Sequence, residues 1–215
     1  MAQHADDGSP KRDRLELLVT VLLVVAAVAT SWSSYQATRW HGEQAQAASR
    51  TNAIRIEAAR ASSLAEADTE VDVATFIAWV DAARSGDEEL ADFYVDRFRT
   101  EFAVAFDAWI ATEPFTNPSA PKTPFEMPEY QVAARNEADR LDKAAEESAA
   151  EVGRDIQRAS NYVLTVVLYA VVLFFAGIST RITGRRLRTV MLAAGFVVLA
   201  AAIAWVVTLP VSFQV

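Results

Sequence analysis

Hydrolytic and group-transfer chemistry needs a nucleophile or a metal ion beside a tuned base, and histidine is the usual base. This chain of 215 residues holds two histidines, His4 and His41, and no cysteine. His41 and nearby Glu43 lack the further nitrogen or sulfur donors that a zinc site requires. Carboxylates are more plentiful. Glu88, Asp92 and Asp96 recur every fourth residue and would share one helix face, as would Glu66 and Glu70. Such a stripe suits a solvated surface or weak divalent-cation binding, and no Asp-rich loop with a central glycine accompanies it. The residue types therefore point to no catalytic set, no cofactor and no tight metal site. Glu88, Asp92 and Asp96 are the candidate weak divalent-ion stripe.

The elements that would position these residues are set by three apolar stretches, 15–34, 160–180 and 189–209. Each has about the 20 residues needed to cross a hydrocarbon core. Lys11, Arg12 and Arg14 precede the first, and Arg181, Arg185, Arg186 and Arg188 crowd the gap between the second and third. Both basic clusters belong on the cytoplasmic side. Residues 1–14 are then a cytoplasmic tail and 181–188 a cytoplasmic loop. Residues 35–159 and the tail 210–215 are extracytoplasmic. Ala27-Val28-Ala29 also fits a signal-peptide cleavage pattern. The helical pattern running on past it argues for a retained span.

Acidity is confined to one side of this layout. Between Tyr35 and Arg158 there are 13 Lys and Arg against 24 Asp and Glu. That balance excludes nucleic acid, which is bound through clustered basic residues. Ionisable residues within the spans are limited to Glu16 and rim arginines, whereas proton-coupled transporters carry charge near mid-bilayer. The hydroxyls Thr20, Thr30, Ser31, Ser33, Ser34 and Thr165 suit helix contacts, or the lining of a narrow pore if several subunits surround an axis.

In the outer segment, Glu43 to Ser85 contains neither Gly nor Pro, the composition of one long helix over about 35–84, with a bend expected at Gly42. Ala37, Trp40, Gln44, Ala47, Thr51, Ile54, Ala58, Ala61 and Ala65 form a small-residue coiled-coil seam. Leu64, Ala67, Val71, Ala74 and Ile77 continue it with a drift in phase. A second helix is expected over 88–112, with Leu90, Tyr94, Phe98, Phe102, Ala105 and Trp109 as its apolar stripe, Phe93 and Phe106 widening it, and Phe76 and Trp79 completing an aromatic core. Five prolines between 113 and 128 predict an extended, partly polyproline loop. A third helix over 129–159 carries a seam of Tyr130, Ala134, Glu137, Leu141, Ala144, Ser148, Val152 and Ile156. These pieces make either a membrane-rooted stalk or, with a break near Asp68 to Asp72, a shorter and thicker bundle. The predicted fold is thus an all-α membrane protein with three transmembrane helices and an extracytoplasmic helical hairpin or coiled-coil domain between spans one and two.

The run Ala29-Thr30-Ser31-Trp32-Ser33-Ser34-Tyr35-Gln36-Ala37-Thr38-Arg39-Trp40, followed by Gly42 and Gln44, resembles a motif at the first span of a group of bacterial integral membrane proteins of uncharacterised function. Those proteins share a Tyr-Gln-Ala-x-Arg-Trp core and an Ala-rich helix after it. The resemblance covers about 30 residues well. It implies a bacterial inner-membrane location and no particular activity.

Trp32, Tyr35, Arg39, Trp40 and Trp205, with Arg181, Arg185, Arg186 and Arg188, are the expected membrane-interface residues. The bilayer is the expected surrounding, with a second copy or a membrane-complex subunit as partner. The first functional expectation is a non-enzymatic, self-associating or accessory scaffold subunit. An oligomeric cation channel lined by the first span is the second, and an extracytoplasmic sensor signalling through a partner is the third.

Overall fold

The computed structural model describes residues 10–213, with side chains from residue 15 onward, so His4, Lys11, Arg12, Arg14 and the rest of the expected 1–14 tail lie outside the described side chains. The described residues form helices without a strand: α1 Pro10–Ser85, α2 Glu88–Val95, α3 Thr100–Ile110, a 3-10 turn Pro124–Glu126, α4 Ala133–Arg181 and α5 Arg185–Thr208. Three of them are long and apolar enough to cross a membrane, in α1 from Leu15, in α4 and in α5.

Two corrections to the expected boundaries concern glycine. Gly42 does not break α1, which runs uninterrupted for 76 residues. A helical glycine costs about 1 kcal/mol relative to alanine, and the Ala-rich flanks outweigh that. Gly184 does act as punctuation, but the turn between α4 and α5 is only 182–184. Arg181 therefore ends α4, and Arg185, Arg186 and Arg188 already belong to α5, in place of the eight-residue loop expected over 181–188.

The chain divides into two compact units. The first joins the early part of α1, up to Ala48, to the chain from Ala150 onward. Its core is Val19, Leu22 and Ala26 from α1, Tyr169, Val172 and Ala176 from α4, and Leu192, Leu199 and Ala202 from α5. The spacings of three, four and seven are those of helices packed side by side in a left-handed bundle. Gly195 is what brings α5 close, since a Cβ there would stand 3.1 Å from Leu22 Cδ2 and 3.5 Å from Phe175 Cβ.

The second unit spans Ser49–Ala149. Its core is aromatic: Phe76 and Trp79 of α1 pack with Phe98, Phe102, Phe106 and Trp109, and Phe125, Met127 and Tyr130 lie against them. Edge-to-face geometry predominates, as at Trp79–Phe106 (4.7 Å, 82°) and Phe98–Phe102 (4.8 Å, 77°), the arrangement that ring quadrupoles favour.

Within this unit the expected 88–112 helix is two helices. Arg99 takes an extended ψ of 141° as N-cap of α3, so the chain turns between Val95 and Thr100. Leu90 and Phe93 are exposed as a result, while Phe98, Phe102, Ala105, Phe106 and Trp109 are buried. The Pro-rich segment is not extended either. Successive turns close it, including Asn117 N–H to Glu113 O, Ala120 N–H to Asn117 O and Met127 N–H to Pro124 O. Trp109 Nε1 donates to Pro121 O at 2.8 Å, and Pro124 is fully buried. Prolines here fix turns against a core that supplies the missing donors.

Both expected seams hold in part. On α1 the positions from Ala37 to Ala65 are buried or half-buried as their spacing predicts. Beyond Ala65 the packed face continues through Asp72, Phe76 and Trp79, leaving Leu64, Val71 and Ile77 exposed. The aromatic core draws the packed face to its own side, so no drift in phase occurs. On α4, which starts at Ala133 and not at 129, the buried positions are Ala138, Leu141, Ala145, Asp155 and Ala159. Of the expected seam, Leu141 is buried and Ala134, Ala144, Ser148 and Val152 are half-buried, while Glu137 and Ile156 are exposed.

Candidate functional site

Two constellations concentrate the buried polar groups, one in each unit. In the first unit the motif residues fasten the segment that follows α5. Gln36 is fully buried; its Oε1 accepts from Ser212 N–H at 3.1 Å, and its Nε2 faces Ser212 O at 3.5 Å. Pro210 O accepts from two aromatic donors, Trp40 Nε1 at 3.2 Å and Tyr162 OH at 3.1 Å. Ala37 and Ala159 provide the close approach beside these rings. Arg158 lies over the Trp40 ring at 4.6 Å and pairs with buried Asp155 at 2.9 Å. A helix that has ended leaves backbone groups without partners, and here Gln36, Trp40 and Tyr162 satisfy them.

The second constellation ties three parts of the other unit together. Arg99 Nη1 donates to Asp72 Oδ2 at 2.9 Å, while Nη2 donates to Asp68 Oδ2 at 2.8 Å and Glu101 Oε2 at 2.9 Å. Tyr130 OH donates to the same Asp72 oxygen at 3.1 Å. Glu101 Oε1 faces Ala133 N at 3.4 Å, at the start of α4. Asp72 is wholly buried and its Oδ1 has no hydrogen-bond partner.

Burial raises the Asp72 pKa above the usual carboxylate value, and the opposing pull of Arg99 and Tyr130 does not cancel it. Burial would lower the Arg99 pKa, but Asp72 and Asp68 raise it, so the guanidinium stays charged. Tyr130 is pushed up, chiefly by burial, and remains a donor. The set can hold three chain segments in one geometry.

The expected interface residues divide between surface and interior. Trp32 and Tyr35 are exposed with ring centroids 6.1 Å apart. Trp40 is 8% exposed and faces its neighbours in the bundle. Arg39 is half-buried, with Glu43 at 3.8 Å and its Nε without a hydrogen-bond partner. Arg181, Arg185 and Arg186 are exposed, while Arg188 and Trp205 are half-buried.

Glu88, Asp92 and Asp96 are exposed along short α2, with Asp96 at its C-cap. Among the described residues no group of three or more His, Asp or Glu side chains is placed to hold a metal ion. Thr20, Thr30 and Ser31 donate to the carbonyls four residues earlier, at 2.7 to 3.0 Å, as hydroxyls on a helix commonly do.

Sequence reasoning missed Gln36, Asp72 and Arg99. Gln36 was legible as the amide inside the motif, and Asp72 as the acid standing at a packed-face position between Ala65 and Phe76.

No family model matches the chain, and none of the curated proteins or solved structures compared with it matches either.

Proposed function

We propose that the protein is a non-enzymatic scaffold or accessory subunit of the bacterial inner membrane, with α1 outside the bilayer engaging a second copy or another membrane subunit. The observation that carries this reading is a second apolar face on α1. Ile56, Leu64, Val71 and Ile77 are each at least half exposed; Ile56 and Ile77 lie opposite the buried Ala58, Ala65, Asp72 and Trp79, and Leu64 and Val71 lie on the flank, about 100° from that buried face. With exposed Ala67 and Ala74 between them, Leu64, Val71 and Ile77 are spaced by three, four, three and three residues, close to the pattern of a helix-pairing seam. A helix that is apolar on two faces has one face more than its own chain covers.

Orientation in this reading follows the arginines. Arg181, Arg185 and Arg186 at the turn between α4 and α5 favour the cytoplasmic side for that turn. The acidic 49–149 unit and the segment after α5 are then extracytoplasmic.

The chain has no cysteine, so a single introduced thiol reports on pairing directly. Val71→Cys is expected to form disulfide-linked dimers under mild oxidation in native membranes, while Ser62→Cys, at an exposed position on another side of α1, is not. Equal, minimal cross-linking of both, with a monomeric mass in detergent, would remove self-association and leave only a different subunit as partner.

A further inference from the structure

Within the membrane-spanning unit, an apolar groove of about 380 Å³ opens between α1 and α5, lined by Val25, Val28, Trp32, Tyr169, Ile203 and Val206 among others. Its length along α1 is informative. The α1 residues that line it run from Val24 to Trp32, eight residues or roughly 12 Å of helix, a little under half the thickness of the hydrocarbon core. That is close to the depth one leaflet's acyl chain occupies.

Arg39 stands seven residues, two helical turns, beyond Trp32 and therefore on the same face of α1. It lies five residues past Ser34 at the end of the apolar stretch, roughly 7 Å beyond the hydrocarbon edge and within the headgroup layer. The segment after α5 runs beside it, because Ser212 Oγ and the Arg39 partner Glu43 are 3.5 Å apart. The groove between α1 and α5 thus leads toward Arg39. The guanidinium keeps donors to spare: Nε is buried without a hydrogen-bond partner, and the Glu43 contact of 3.8 Å is longer than a hydrogen bond. An apolar slot of leaflet depth, a tryptophan at its mouth and a cation at phosphate height match the parts of a phospholipid in order.

We infer that this groove and Arg39 form a binding site for one phospholipid, the acyl chain lying along Val25, Val28 and Trp32 and the phosphate meeting Arg39. The site reads the phosphate and the chain and places no demand on the headgroup beyond.

The test is native mass spectrometry of the full chain purified in detergent, stripped of lipid and then offered palmitoyl-oleoyl phosphatidylglycerol, its phosphatidylethanolamine counterpart, or dioleoylglycerol without phosphate. Wild type is expected to retain one molecule of either phospholipid and no diacylglycerol. Val28→Trp fills the groove and should abolish retention; Val206→Phe, which fills it from α5, serves if the first variant misfolds. Arg39→Gln should weaken retention about tenfold, the loss of one charge-assisted hydrogen-bonded contact. Val197→Trp, exposed on α5 away from the groove, should bind as wild type does. Retention unchanged by the groove-filling variants, or diacylglycerol held as well as phospholipid, would overturn the site. So would a lipid-free wild-type dimer that the groove-filling variants convert to monomer, since a second copy would then occupy the groove.

Discussion

Arg99 reaches Asp72 across 27 positions of sequence, donating at 2.9 Å to a carboxylate that has no exposed surface. Through its second nitrogen the same guanidinium also holds Asp68 and Glu101. One side chain therefore sets α1, the start of α3 and, through Glu101, the start of α4. Removing it strands a buried charge. Arg99→Met is expected to destabilise the 49–149 unit by about 3 kcal/mol, the usual cost of breaking a buried pair from one side. Denaturant unfolding followed by the fluorescence of Trp79 and Trp109, in nanodiscs, reads this directly. A loss below roughly 1 kcal/mol, the range of surface pairs, would show that the pair is not structural.

The Asp72 carboxyl also predicts a pH dependence. Burial raises its folded pKa above 3.8, so the folded form binds the proton more tightly than the unfolded chain does. The stability this contributes is fully present below the unfolded pKa and is lost as pH rises through the raised folded value. Wild type should thus gain stability relative to Asp72→Asn as the pH is lowered from 7 toward 4. Parallel stability curves for the two proteins would contradict the assignment.

What was legible beforehand was whatever depends on local composition. The three spans, the long Ala-rich helix and the aromatic set Phe76, Trp79, Phe102 and Trp109 follow from runs and periods of single residue types. Register was less legible, because alanine fits either side of a helix: Ala65 and Ala67 are equally good seam residues, and only the position of the aromatic core makes Ala65 the buried one. Arg99 as an N-cap was invisible to a pattern that ran smoothly from Leu90 to Trp109. An arginine amid aromatics reads as a solvated residue until its partners at Asp68 and Asp72 are known. Trp40 looked like an interface anchor for the same reason, since nothing local says that Pro210 O will need its indole N–H.

The Gln36 contact can be tested at a single amide. Ser212 N–H donates to Gln36 Oε1 at 3.1 Å in a buried position, so Gln36→Ala should leave it unpaired and release the segment after α5. Hydrogen exchange at Ser212 is expected to quicken about tenfold, matching a hydrogen bond worth roughly 1 to 1.5 kcal/mol. Exchange at Tyr169, deeper in the bundle, should stay unchanged. Equal protection of Ser212 in both proteins would mean that Trp40 and Tyr162 suffice to hold the segment.

Glu113 carries a φ of 52°, in the left-handed region that side chains with a Cβ disfavour. It follows α3, and its carbonyl accepts from the amides of both Thr116 and Asn117, so the conformation is fixed by the turn and not by the side chain. Glu113→Gly should therefore stabilise the unit by up to about 1 kcal/mol, the penalty relieved being larger than the entropy glycine adds to the unfolded chain. Glu113→Val should cost at least as much. A destabilised glycine variant would show that the Glu113 carboxylate contact with Thr116 Oγ1, at 3.3 Å, outweighs the backbone strain.

Gly195 tests the packing of the spans by size. A Cβ at this position would meet Leu22 Cδ2 at 3.1 Å, the movable end of a side chain, with the Phe175 Cβ and Val172 O at 3.5 and 3.9 Å. One methyl asks Leu22 to shift by a few tenths of an ångström, and alanine is the better helix former by about 1 kcal/mol. Gly195→Ala should thus lie within about 0.5 kcal/mol of wild type in thermal unfolding, because gain and strain nearly offset. Leucine has no such escape. Its branch would have to displace Leu22 and the α4 backbone together, and overpacking of that kind costs roughly 1 to 3 kcal/mol. Gly195→Leu should also loosen α5 from α1, visible as faster exchange in α5 with α4 unchanged. If leucine were tolerated as well as alanine, α5 would not be packed at Gly195, and the groove lined by Ile203 and Val206 could not be a fixed one.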